Sequence, residues 1–77
     1  MNRDRRNRID KVLGQLEELK QEVYDILDEE QEAYDNLPES FQNGERGDSM
    51  QEAIDALENA GNSFDDVIEY LEEANDH

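Results

Sequence analysis

With 77 residues and no cysteine, this chain has room for one small domain and none for a disulfide, a thiolate metal site or a cysteine nucleophile. Twenty-three acids against seven basic side chains give a formal net charge of −16, a field that repels nucleic acid and anionic lipid and draws in basic protein surfaces. No apolar run approaches the length of a membrane span or a signal-peptide core, and the expected location is cytoplasmic.

In chain order, residues 1–7 read as a basic, frayed N-terminus. Residues 1–11 hold five cations against two acids, a local balance of +3, while residues 21–77 hold nineteen acids and a single base, Arg46. From residue 8 to 35 the spacing predicts a first amphipathic helix. Its apolar stripe runs Ile9, Val12, Leu16, Leu19, Val23 and Ile26, breaks at Glu30 and resumes at Ala33 and Leu37, with Leu13, Leu27 and Tyr34 as flanking positions. Steps of three and four alternate, as in a coiled coil, and Glu30 is the one acid in phase with the stripe.

Residues 36–48 form a connector that carries Pro38, Gly44 and Gly47. Pro38 suits the first turn of a short helical piece that lets Leu37 and Phe41 plug the end of a hairpin. Residues 49–75 predict a second helix with the stripe Met50, Ala53, Leu57, Ala60, Phe64, Val67, Leu71 and Ala74, widened by Ile54 and Ile68. Gly61 costs roughly 1 kcal/mol there, and Ser63 with Asp66 offers a cap for a separate third helix. The phase holds through Gly61, which favours one continuous helix.

Two helices of about 28 residues, roughly 42 Å each, make an all-α antiparallel helical hairpin, a single domain over residues 1–77. Folding about position 42 sets residue i beside residue 84 − i and places Arg8 and Lys11 next to Glu72, Glu73 and Asp76. Opposite charges side by side then offset unfavourable helix dipoles. Each stripe is wider than a two-stranded seam needs, so the hairpin is expected to dimerise into a four-helix bundle or to dock its apolar edge on another protein.

Catalytic and metal constellations are missing. The one histidine is the terminal His77, and Ser40, Ser49 and Ser63 have no histidine at helical spacing for a triad. No glycine loop for phosphate, zinc signature, EF-hand loop or inward Glu-x-x-His motif occurs. The expectation is therefore no enzyme, no cofactor and no dedicated metal site.

The remaining signal is rows of surface acids three or four residues apart, such as Glu18/Glu22, Asp25/Glu29, Asp28/Glu32, Glu52/Asp55, Asp65/Glu69 and Glu69/Glu73. Each like-charge pair costs a few tenths of a kcal/mol. Three accounts compete: a solvated face for solubility or a salty cytoplasm, mimicry of duplex phosphates, or a hairpin whose apolar edge makes the contact. The acids of residues 21–77 on a rod some 40 Å long give about one charge per 2 Å, near the ~1.7 Å of duplex DNA. The residues expected to carry charge contacts are Glu22, Asp25, Glu29, Glu32, Asp55, Glu58, Asp65 and Glu69.

The stretch Asp28–Asp48, with its Asn36-Leu-Pro-Glu-Ser40 turn, and the following Met50–Ala60 resemble small acidic helical proteins of bacteriophages and other mobile elements. The likeness spans about residues 16–74 and leaves out the Arg-rich start. It implies a context in which small acidic proteins inhibit host or competitor machinery, several as DNA mimics. The expected function is accordingly a non-enzymatic acidic inhibitor that binds a basic, nucleic-acid-binding protein. The runner-up is an assembly hairpin using its apolar edge.

Overall fold

The computed structural model describes all 77 residues as three helices: α1 from Arg3–Asp35, a single turn α2 from Glu39–Gln42, and α3 from Glu45–Asn75. Helices α1 and α3 lie side by side and antiparallel in a rod of 58 × 15 × 12 Å. The all-α hairpin and its single pair of long helices are as the periodicity predicts. Helix α3 runs unbroken through Gly61, and Ser63 caps nothing.

Both long helices exceed their predicted limits. Asn2, in an extended conformation, accepts a hydrogen bond at its side chain from the Arg5 amide, which starts α1 at Arg3 instead of residue 8. The basic segment is thus the first two turns of a helix and not a frayed arm. At the other end the Asn36 amide donates to the Glu32 carbonyl, and α1 stops at Asp35, three residues before Pro38. Pro38 then starts α2, whose Phe41 and Gln42 amides donate to the Pro38 carbonyl. The Gln42 side-chain amide reaches back 3.0 Å to the Tyr34 carbonyl and ties the turn to α1.

The connector is shorter than expected because Gly47 lets α3 begin early. A Cβ at Gly47 would fall on the Gln42 backbone carbonyl, so only glycine lets the first turn of α3 lie against the end of α2. Phe41 does not plug the hairpin: it is 52% exposed, and Leu37 alone of that pair is half-buried.

The seam between α1 and α3 repeats every seven residues. On α3 its most buried line is Gly47, Ile54, Gly61 and Ile68, alternating with half-buried Met50, Leu57, Phe64 and Leu71. On α1 the inward positions are Ile9, Leu13, Leu16, Lys20, Val23, Leu27, Glu30 and Tyr34, with half-buried Tyr24 at the margin and Leu37 continuing the line just past the helix end. The predicted stripes are therefore displaced by one position toward their flanks. Val12, Leu19 and Ile26 are 41%, 55% and 44% exposed, Val67 is 45% exposed, and Ala33, Ala53 and Ala60 face solvent. The displaced seam centres on Ile54 and Ile68, expected only as flanking positions, and leaves their stripe neighbours Ala53 and Val67 exposed. Burial of a full isoleucine is worth about 1.5–3 kcal/mol, which decides the choice.

Register follows from three contacts. Lys20 pairs with Asp65, the Asn75 amide donates to Asp10 at 2.8 Å, and the Tyr24 ring lies on Gly61. Residue i sits across from residue 85 − i, one residue from the predicted register. The expected pairing of Arg8 and Lys11 with Glu72, Glu73 and Asp76 does not form. Arg8 instead meets Asp4 at 3.9 Å within its own helix, and the ends are tied by the Met1 ammonium, which donates to the His77 carbonyl at 2.7 Å.

Candidate functional site

The seam divides the hairpin lengthwise into two unlike sides. Asp10, Tyr24 and Asp65 mark the first, through their contacts with Asn75, Gly61 and Lys20. Heptad spacing along α1 adds Glu17, Asp28 and Asp35 to this side, and along α3 adds Asp48, Asp55, Glu58, Glu69 and Glu72. All ten acids are exposed. The only cations there are Arg3, at one extreme, and Lys20.

Lys20 is the residue that sequence periodicity missed. It occupies an inward position where apolar Leu19, its neighbour, was expected. Its stem lies in the seam while Nζ bonds Asp65 and sits 5.9 Å from the centre of the Tyr24 ring. The hydrogen bond that its ammonium donates to Asp65 raises the Lys20 pKa above its ordinary 10.5; desolvation opposes this, and the charges of Asp65 and Glu17 reinforce it. The signal available in the sequence was the spacing of Lys20 from Leu13 and Leu27, seven residues each way, which puts all three in one line.

The Tyr24 ring can rest against α3 only because residue 61 has no side chain. A Cβ at Gly61 would come within 2.8 Å of Tyr24 Cζ and 2.9 Å of its hydroxyl. The helix-breaking residue in the middle of α3 is thus a seat for an aromatic ring.

The second side carries Val12, Leu19, Ile26 and Ala33 on α1 and Ala53, Ala60 and Val67 on α3. Two shallow apolar depressions lie along it. One is formed by Leu16, Ala60, Ser63, Phe64 and Val67, the other by Met1, Arg5, Arg8, Ile9, Val12 and Leu71. Acids are sparse here, with only Glu22 and Glu29 on the adjoining turn positions of α1.

All eight carboxylates expected to make charge contacts are exposed, but they do not share a face. Asp55, Glu58, Asp65 and Glu69 belong to the acidic side, and Asp65 is partly engaged by Lys20. Asp25 and Glu32 lie on the outer edge of α1, and Glu22 and Glu29 fall toward the apolar side. Sequence reasoning placed each acid on the surface correctly. Only the seam's true position decides which acids look the same way. Six acids left out of that set, Asp10, Glu17, Asp28, Asp35, Asp48 and Glu72, join the acidic side.

No helix is long and apolar enough to cross a membrane, and no group of three or more potential metal-ligating side chains converges. No protein-family model, curated protein or solved structure matches the chain.

Proposed function

We propose that the chain is a non-enzymatic acidic binding protein that presents its carboxylate side to a basic protein surface. In its sharpest form it acts as a DNA mimic, an inhibitor of a nucleic-acid-binding host or defence protein, in the cytoplasm of that host. The observation that carries this reading is the sidedness of charge. Ten exposed acids line one side of a 58 Å rod, and the one cation in their midst, Lys20, is already bonded to Asp65. A solvated face kept only for solubility has no reason to spare the opposite side. Two helical rows of acids offer lysine and arginine side chains the kind of charge rows that duplex phosphates do, and long-range attraction speeds encounter. The resemblance of the Asn36–Ser40 turn to phage and mobile-element proteins fits an inhibitor and anti-defence role. The working unit in this proposal is a pair of hairpins forming a four-helix bundle, which leaves both acidic sides outward.

A second reading, an assembly hairpin that docks through its apolar edge, is favoured by the exposure of Val12, Leu19, Ile26 and Val67. Capture from bacterial lysate along a salt gradient separates the two. For the mimic, a nucleic-acid-binding protein leaves at moderate salt and is displaced by duplex DNA. Reversing Asp55 and Glu58 to lysine weakens capture at least tenfold, while reversing Glu22 and Glu29 does not. A partner that survives high salt and ignores duplex DNA sinks the mimic and favours the apolar edge.

A further inference from the structure

We infer that the apolar side is covered by a second copy of this chain running antiparallel to the first, so that α1 packs on the partner's α1 and α3 on the partner's α3. This rests on the paired-hairpin reading above and specifies its geometry.

Area argues for a partner. The chain exposes 5801 Å² at 9.0 kDa, whereas a compact monomer of that mass exposes about 4,900 Å². A pair that removed the excess from each copy would bury about 1,800 Å² in all, within the range of stable specific interfaces, roughly 1,200–2,000 Å². Inside the hairpin only Ile54 and Ile68 are buried as large apolar side chains, so a lone copy has little core. Composition of the surface agrees. Helix α3 holds ten acids, yet the strip running Ala53, Ala56, Ala60, Ser63, Val67 and Tyr70 has none. Small residues there let two backbones approach closely.

Charge argues for a copy of the same chain and fixes its direction. Residues 1–21 hold six cations against four acids, a balance of +2, and residues 22–37 hold seven acids and no cation. Arg3, Arg5, Arg6 and Lys11 have no carboxylate within 4.0 Å in the hairpin. Arginines in the first turns of α1 and acids in its last turns also oppose its dipole at both ends. An antiparallel α1 pair brings each unpaired basic end beside the partner's acidic end and offsets both faults. A parallel pair would instead stack the two connector ends, where residues 22–63 carry thirteen acids and one base.

Register closes the argument. A two-fold axis between Glu22 and Val23 sets Leu19 on the partner's Ile26 and Val12 on the partner's Ala33. On α3, an axis between Ser63 and Phe64 sets Ala60 on the partner's Val67 and Ala53 on the partner's Ala74. Across the hairpin these two points lie within one residue of the same height, about 1.5 Å. One axis therefore serves both helices.

The chain has no cysteine of its own, so single-cysteine variants report distances without background. Native mass spectrometry of the full chain gives the stoichiometry: a pair appears at twice 9.0 kDa. Val12→Cys mixed with Ala33→Cys should then oxidise to the mixed disulfide in most of the protein, and Val12→Cys mixed with Ala74→Cys should not. A pair that lacks the 12–33 bridge, whether or not it forms the 12–74 bridge of a parallel arrangement, overturns the antiparallel geometry and leaves pairing intact. A 9.0 kDa monomer at the concentrations of the cross-linking experiment overturns both.

Discussion

Gly61→Ala is the most discriminating single substitution in this fold, because two effects of similar size oppose each other at one atom. In an isolated helix, alanine is favoured over glycine by about 1 kcal/mol. In the hairpin the new methyl group comes within 2.8 Å of Tyr24 Cζ, and the ring must leave its seat. Forcing a methyl into an occupied site costs typically 1–3 kcal/mol. The atoms in the way are the far end of a side chain that can swing outward, so the cost belongs at the lower end. Gly61→Ala alone should therefore be near neutral, or destabilising by up to about 1 kcal/mol. In a Tyr24→Ala background the obstruction is gone, and the same change should stabilise by about 1 kcal/mol. The coupling between the two sites is then about 1–2 kcal/mol. Urea unfolding followed by far-ultraviolet circular dichroism measures all four corners of the cycle, at one protein concentration so that any association contributes equally. If Gly61→Ala stabilises by the same amount with and without the Tyr24 ring, the ring does not rest on that glycine and the register of the hairpin is wrong.

Ile54, 1% exposed, is the best-buried side chain, and Ile54→Ala should cost about 2–5 kcal/mol, against about 0.5–1.5 for Ile54→Val; thermal unfolding would show a drop of about 4–8 °C per kcal/mol for a chain of this size. Lys20 has a folded pKa raised by Asp65, so its contribution is complete below its ordinary 10.5 and is lost as pH rises through the higher folded value. Denaturation of Lys20→Met between pH 9 and 12 should lack that alkaline loss, and an unchanged pH profile would mean the Asp65 bond contributes nothing. The rows of like charges should make the fold more stable in salt. Fifteen such pairs of acids within α1 and α3, each costing about 0.2–0.5 kcal/mol at low ionic strength, predict a melting temperature at least about 10 °C higher in 1 M sodium chloride than in 10 mM, and a flat response would show that the acids are too far apart to repel.

The sequence by itself determined the helices and their pairing. Alternating steps of three and four from Ile9 to Leu37 and from Met50 to Ala74 have one interpretation, since only a helix collects such residues on one side. Two such stripes around a Pro/Gly connector leave a hairpin as the way to bury both. That the acids lie on the surface was equally legible, because an unpaired buried carboxylate is too costly to keep. The tertiary structure alone decided which edge of each stripe faces inward. Local pattern treats Leu19 and Lys20, or Ala53 and Ile54, as neighbours on a broad stripe, and apolar content by itself favours Leu19 over Lys20. Packing judges both helices together: Ile54 and Ile68 bury more surface than Ala53 and Ala60, Gly61 makes room for Tyr24, and Asp65 accepts the Lys20 ammonium. Ile9, Leu16 and Val23 on α1 and Leu57, Phe64 and Leu71 on α3 stay inward. Exchanging only the other line of each stripe for its neighbour turns each helix by about 50–60°, roughly half of one residue's 100°. That rotation gathers ten acids on one side, exposes Val12, Leu19 and Ile26 on the other, and divides the eight expected charge contacts between them.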